Sequence, residues 1–237
     1  MSMTATLTAY DKFKQLVGAH TVQIYGEAGA GKSRFVHAVA IEAQLTGKKV
    51  LYLDTEGSLP LGYEDELENY EYIGPDLDAL IERVSLAKRQ RDQFDLLIVD
   101  SVGFPVLASF ASLPLDKRLT AILRMANIMA DTVRFARASK HEMLPVPEKE
   151  NLAIVTNQTV SEFTRVTKGL SPEDPLECFG GKIAFVPKLT LRSEVVERNS
   201  QKSVFRLTVH KARDMPRGKE IACFTLAGNG VTINWKV

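Results

Sequence analysis

The chain has 237 residues, 45% hydrophobic and 25% charged, with 30 Lys and Arg against 29 Asp and Glu for a net charge of +1. That composition supports an ample core in one globular unit and excludes a global attraction to nucleic acid, leaving only a local basic loop for that purpose. Cys178 and Cys223 fit no metal or redox spacing, His20, His37, His141 and His210 form no ligand cluster, and no apolar run approaches about 18 residues. With no signal-peptide pattern in Met1 to Tyr10, a cytoplasmic protein with reduced thiols and no membrane contact is expected.

Residues 1–19 are polar and weakly patterned and read as a short lead-in with no folded element. His20 to Tyr25 is a short apolar strand. It runs into Gly26-Glu27-Ala28-Gly29-Ala30-Gly31-Lys32-Ser33, which fits G-x-x-x-x-G-K-[ST] at every position. Gly26, Gly29 and Gly31 allow left-handed turns that aim successive N–H groups inward as an anion nest, and the helix opening at Lys32 adds its positive end. Lys32 is placed to reach β- and γ-phosphates and Ser33 to ligate Mg²⁺, with Arg34 next along the helix. Phe35, Ala38, Val39 and Leu45 form the expected inner face of that helix before Gly47 stops it.

Lys48 to Asp54 suits a buried parallel strand ending in Asp54-Thr55-Glu56-Gly57. A carboxylate at the C-terminal end of such a strand falls on the ligand-binding edge of an open α/β sheet, so Glu56 is a candidate to orient an attacking water. A lone acid in a turn is ordinarily just solvated; the phosphate loop upstream favours the catalytic role. Leu59 to Tyr72 is irregular and acidic. Asp76 to Arg91 reads as an amphipathic helix with Leu77, Leu80, Ile81 and Val84 inward.

Asp95 to Ser101 is an apolar run ending in an acid, a Walker B pattern whose Asp100 would hold Mg²⁺ beside Ser33. Val102 to Leu115 reads as a loop, and from Asp116 a long helix carries Leu119, Ile122, Leu123, Ala126, Met129 and Val133 as its expected core stripe. Leu152 to Gln158 is a further buried strand. Its terminal Gln158 is placed to bond a γ-phosphate or its water, although Asn-Gln is also an ordinary strand end. Thr159 to Gly181 reads as a functional loop carrying Arg165 and Lys168. Strands follow at Lys188 to Glu197, Ser203 to His210, Glu220 to Leu226 and Val231 to Trp235.

Taken in order, these motifs resemble the RecA/RadA recombinase family, in particular the short archaeal RadB-like paralogues. Val155-Thr156-Asn157-Gln158, Gly180-Gly181-Lys182-Ile183 and Phe224-Thr225-Leu226-Ala227-Gly228-Asn229-Gly230-Val231 add to the likeness. The resemblance implies an α/β, RecA-like P-loop NTPase core: a mostly parallel central sheet flanked by helices, with antiparallel C-terminal strands, as one ATPase domain over residues 1–237. It implies ATP and Mg²⁺ as cofactors and Glu56, Lys32 and Gln158 as catalytic residues. Residues 101–115 and 159–181 correspond to the family's DNA-facing loops, making Arg165 and Lys168 candidates for phosphate contacts with DNA, single-stranded DNA being the expected form.

By the same resemblance, His210-Lys211-Ala212-Arg213-Asp214-Met215-Pro216 reaches a neighbouring subunit's ATP. Lys211 or Arg213 would then neutralise γ-phosphate charge in trans, and Asp214 with Pro216 would cap the base or ribose. A solvated basic turn is the competing reading. The expected activity is slow ATP hydrolysis coupled to DNA recombination and repair, alongside a main RecA/RadA-type recombinase or another repair protein and with self-assembly, in the cytoplasm or at the nucleoid. Phe35-x-x-Ala38 and Phe135-x-x-Ala138 match a polymerisation motif in form only and are expected to be core, and Phe185 and Val186 stand where the family has a sensing histidine. The expected chain has no room for an N-terminal DNA-binding domain, so filament-forming strand exchange is not expected. The alternative is a nucleotide-gated protein-interaction ATPase that never contacts DNA.

Overall fold

The computed structural model describes residues 8–18, 20–137, 150–159, 178–180, 186–212, 214–228 and 230–236. Among these residues, nine strands form one sheet in the order β3-β2-β4-β5-β1-β6-β7-β8-β9. The strands are β1 Thr21–Gly26, β2 Val50–Asp54, β3 Tyr70–Tyr72, β4 Leu96–Asp100, β5 Leu152–Gln158, β6 Leu189–Arg198, β7 Lys202–Lys211, β8 Glu220–Ala227 and β9 Gly230–Trp235. From β3 to β6 every pairing is parallel, and β6 to β9 are antiparallel. The expected α/β core with an antiparallel C-terminal edge is therefore what forms.

The central strands are buried on both faces, which is why they read as unbroken apolar runs. Alternate residues feed two cores: Leu96 and Ile98 of β4 join one, Leu97 and Val99 the other. The first core is closed by α2 Lys32–Leu45 and α1 Ala9–Val17, the second by α3 Leu77–Arg89, α4 Gly103–Ser109 and α5 Leu115–Ala136. Lys88 and Asp131 (3.0 Å) tie α3 to α5.

Four expectations are corrected. The lead-in is not unstructured: α1 opens on a capping box in which Asp11 N donates to Thr8 Oγ1 (3.1 Å) and Thr8 N to Asp11 Oδ2 (3.3 Å). It then buries Tyr10, Phe13 and Val17, with Phe13 edge-on to Phe35 at 5.7 Å. In α2, Leu45 is exposed and Ala38 half-buried, and the inner face is Phe35, Val36, Val39, Ala40 and Ala43. The first half of residues 102–115 is the helix α4, whose Pro105 sits in the first turn, where a missing N–H costs nothing.

The stripe of α5 is also rotated. Leu119 and Leu123 are 62% and 52% exposed, while Ala121, Met125, Ile128, Met129, Thr132 and Phe135 face inward. Docking against α3 sets that face, and it is not the most leucine-rich line on the helix. Phe35 and Phe135 are both fully buried, as their helical setting implied. Among the described residues, no helix is long and apolar enough to cross a membrane.

Candidate active site

The C-terminal ends of β1, β2, β4 and β5 meet at one edge of the sheet, where parallel α/β sheets bind ligands. There a cavity of about 400 Å³ is lined by Ala28, Gly29, Gly31, Lys32, Ser33, Arg34, Glu56, Ser58, Asp100, Gln158, Arg198, Ser203, Phe205 and Leu226. Glu27 flanks it in the loop, and Ala30 is turned away and buried.

The phosphate loop is shaped by two different uses of glycine. Gly31 has φ +76°, and a Cβ there would lie 2.9 Å from the Phe224 ring, so the loop is drawn onto the stacked Phe205–Phe224 pair. Gly26 does not take the left-handed turn that the motif suggested. It is required because the Ser193 carbonyl oxygen of β6 would sit 2.4 Å from its Cβ. A backbone cradle too tight for side chains is what a phosphate site needs, since its N–H groups must approach the anion directly.

Lys32 Nζ donates to the Gly26 and Glu27 carbonyls, 2.9 Å each, folding the side chain back over the loop. Burial lowers its pKa from the ordinary lysine value, opposed by the charges of Asp100 and Glu56. Arg34 lies over the Tyr63 ring at 4.6 Å, a cation–π contact that fixes it beside the cavity.

Asp100 is buried at the end of β4. Tyr52 Oη donates to its Oδ2 at 2.7 Å and Thr156 to its Oδ1. Burial raises its pKa, and hydrogen bonds from Thr156, Tyr52 and Ser33 pull the other way. Ser33 Oγ also lies 3.0 Å from Ser58 Oγ. One buried carboxylate with a helix-terminal hydroxyl fits Mg²⁺, which takes most of its remaining ligands from water and phosphate oxygens. The residues present therefore suit both groups implied by the motifs.

Glu56 is aimed by its neighbours. Asp54 Oδ1 accepts the N–H groups of Glu56 (2.8 Å) and Gly57 (2.9 Å), while Tyr70 Oη holds Oδ2 at 2.9 Å. Thr55 Oγ1 donates to the Ser101 carbonyl (2.7 Å) and accepts from Ser101 N (2.9 Å), locking the ends of β2 and β4 together. The Glu56 carboxylate then accepts from Ser101 Oγ and from Gln158 Nε2 (3.1 Å). Gln158 is itself tied inward: its N–H donates to Asn157 Oδ1 (2.8 Å), and Asn157 Nδ2 donates to the Phe179 carbonyl (3.0 Å).

The structure thus brings Lys32, Ser33, Glu56, Asp100 and Gln158 to one cavity. It places Lys211 elsewhere: Lys211 pairs with Thr190, level with Gln23 in mid-strand, and the chain runs on away from the phosphate loop toward Asp214 and Pro216. None of these three lines the cavity of its own chain. Arg165, Lys168 and Arg213 lie outside the described residues. Sequence reasoning gave no site role to Asp54, Ser101 and Leu226, which stand inside its motifs, or to Ser58, Arg198, Ser203 and Phe205, which no motif includes.

A family model described as an AAA domain matches residues 19–107, from the β1 strand past Asp100. The DNA repair and recombination protein RadA of Methanocorpusculum labreanum is 26% identical over 68% of this chain and 55% of its own length; that of Methanoculleus marisnigri is 26% identical over 74% and 60%. The chain therefore spans little more than half of these RadA proteins. The DNA repair and recombination protein RadB of Methanococcus maripaludis is 23% identical over 89% of this chain and 90% of its own. The chain is similar to archaeal RadA and RadB. The likeness to RadB runs nearly end to end on both chains.

Proposed function

We propose that this chain is a slow Mg²⁺-dependent ATPase, one RecA-like domain, that binds single-stranded DNA and works in recombination or repair beside a principal recombinase. The observation that carries the reading is the meeting of Glu56 with Lys32, Ser33, Asp100 and Gln158 at one cavity. A phosphate cradle alone describes a nucleotide binder; a carboxylate held at its γ-phosphate end adds a means of hydrolysis. The names of the RadA and RadB relatives supply the biological setting.

In this account the loop N–H groups hold the phosphates, and Lys32 leaves the Gly26 and Glu27 carbonyls for the β- and γ-oxygens. Asp100 and Ser33 would hold Mg²⁺, which would supply neutralisation of charge on the transferring phosphoryl group. Glu56 takes the proton of the attacking water, and Gln158 keeps the carboxylate in line and links it, through Asn157, to the Phe179 carbonyl. Arg165 and Lys168 contact DNA phosphates. Lys211, Arg213, Asp214 and Pro216 serve a neighbouring subunit, a role consistent with the absence of Lys211, Asp214 and Pro216 from the lining of their own chain's cavity.

The net charge of +1 favours a second reading, in which ATP gates assembly with a protein partner. A salt series of single-stranded DNA binding without nucleotide, with Mg-ADP and with Mg-ATP separates the two. Lys32→Ala and the double variant Arg165→Ala/Lys168→Ala serve as controls. The DNA reading predicts nucleotide-dependent binding that weakens with salt, with a shallower slope in the double variant. ATP binding without DNA binding in any state would transfer the account to the protein-interaction reading.

A further inference from the structure

The β6–β7 hairpin does more than extend the sheet. Strand β6 pairs with β1 only from Leu189 to Arg192, so Ser193 to Arg198 overrun the sheet edge and stand beside the phosphate loop. Two side chains of this overhang grip loop carbonyls: Ser193 Oγ donates to Ala30 O at 2.6 Å and Arg198 Nη2 to Gly29 O at 2.7 Å.

Residues 193 and 198 are an odd number apart and would face opposite sides of a regular strand. A register shift between Val195 and Glu197 corrects this. Val195 pairs with Phe205, Glu197 with Val204 and Arg198 with Ser203, so one residue is left over and the alternation is reset. Arg198 thereby joins Phe205 and Ser203 on the cavity side. Glu197 turns outward to Lys202 (3.2 Å).

Arg198 has spent one N–H on Gly29, a guanidinium carries five, and among the described residues no carboxylate pairs with it. It lines the wall of the cavity formed with Ser203, Phe205 and Leu226, whereas Glu56, Asp100 and Gln158 belong to the ends of β2, β4 and β5 across the loop. Resting on the nucleotide reading above, we infer that Arg198 is an arginine supplied by the same chain to the nucleotide's phosphate chain, contacting the α- and β-phosphates and not the γ-phosphate. The bulged hairpin is the device that aims it. Nucleoside diphosphate and triphosphate are then held equally by this contact, which favours retention of the hydrolysed product.

Calorimetric titration of the full chain with Mg-ADP and with a non-hydrolysable Mg-ATP analogue, at low and at physiological salt, tests this in Arg198→Ala, Arg198→Gln and Arg198→Lys. Thermal melts identify the variants that fold. Loss of one charge-assisted phosphate contact predicts about tenfold or more weaker binding of both nucleotides in the Ala and Gln variants, with a shallower salt dependence. The Lys variant should keep most of the affinity. Wild-type affinity in Arg198→Gln, which can still donate to the Gly29 carbonyl, would reduce the residue to a staple and overturn the inference. A loss confined to the ATP analogue would also overturn it, by moving the contact to the γ-phosphate. If the wild-type chain binds neither nucleotide, the phosphate-site reading itself fails, a result distinct from either.

Discussion

Gln158 Nε2 donates to Glu56 Oε1 at 3.1 Å, joining residues 102 positions apart in sequence across the strand that carries Asp100. The amide fixes where the carboxylate points and contributes no charge of its own. Gln158→Ala should therefore leave Mg-ATP affinity unchanged and slow phosphate release by up to about a hundredfold, the scale of a misplaced catalytic group. Equilibrium binding and steady-state hydrolysis on the same preparation separate the two effects, and unaltered turnover would contradict a positioning role.

Gly31 and Gly47 offer a matched comparison. Both have left-handed φ, +76° and +78°, but a Cβ at Gly31 meets the Phe224 and Phe205 rings while one at Gly47 meets nothing within 4 Å. Gly47→Ala should cost about 1 kcal/mol of stability and spare ATP binding. Gly31→Ala carries the same strain plus a displaced loop, so it should cost more and abolish tight ATP binding. Equal behaviour of the two variants would show that the aromatic pair does not set the loop.

Phe13 anchors α1 against Phe35 (5.7 Å) and Trp235 (5.8 Å) on the face of the sheet behind the phosphate loop. Phe13→Ala should destabilise the fold by about 3–5 kcal/mol, the usual cost of a buried phenyl, while nucleotide affinity measured well below the melting point stays intact. Chemical denaturation checks the first part. A small loss would mean that α1 is an appendage of the core.

His37 is buried in α2, with Nε2 3.1 Å from the Tyr63 carbonyl and 3.7 Å from Glu66 Oε2. Burial pushes its pKa below the usual 6.5; the Tyr63 carbonyl and Glu66 oppose that shift, and Arg34 adds to it. The unfolded chain therefore binds a proton that the folded chain resists, so this group's share of stability is present above pH 6.5 and is lost as pH falls below it. Histidine-to-glutamine substitution at 37 should flatten the stability profile in that window. An unchanged profile would place the acid sensitivity elsewhere.

Much of this architecture was legible because buried parallel strands and a phosphate loop leave strong local marks. Leu96 to Asp100 and Leu152 to Gln158 could be bounded nearly to the residue, since an apolar run that ends in a polar side chain records both the strand and its functional edge. Helix α1 was legible in principle through Thr8-x-x-Asp11 and through Tyr10, Phe13 and Val17 at i, i+3 and i+7, but three apolar positions in a nine-residue helix make too short a pattern to stand out from a polar lead-in. The face of α5 was misjudged because apolar residues occupy two neighbouring lines, Leu119 and Leu123 on one and Met125, Ile128 and Met129 on the other, and only the contact with α3 decides between them. Arg198 could not have been found, since its direction depends on a bulge set by cross-strand pairing. Asp54 was read only as part of a motif, and its part in aiming Glu56 emerges from three hydrogen bonds that no spacing predicts.

The most direct test of the catalytic account is single-turnover hydrolysis of Mg-ATP by the wild-type chain and by Glu56→Gln, with ATP affinity measured on both. The glutamine keeps the shape and accepts the same hydrogen bonds through its oxygen but cannot take a proton. The account predicts unchanged affinity and a rate at least a hundredfold lower, the scale of general-base loss. Wild-type turnover in Glu56→Gln would contradict it and leave the cavity as a nucleotide-binding site without hydrolysis at that carboxylate.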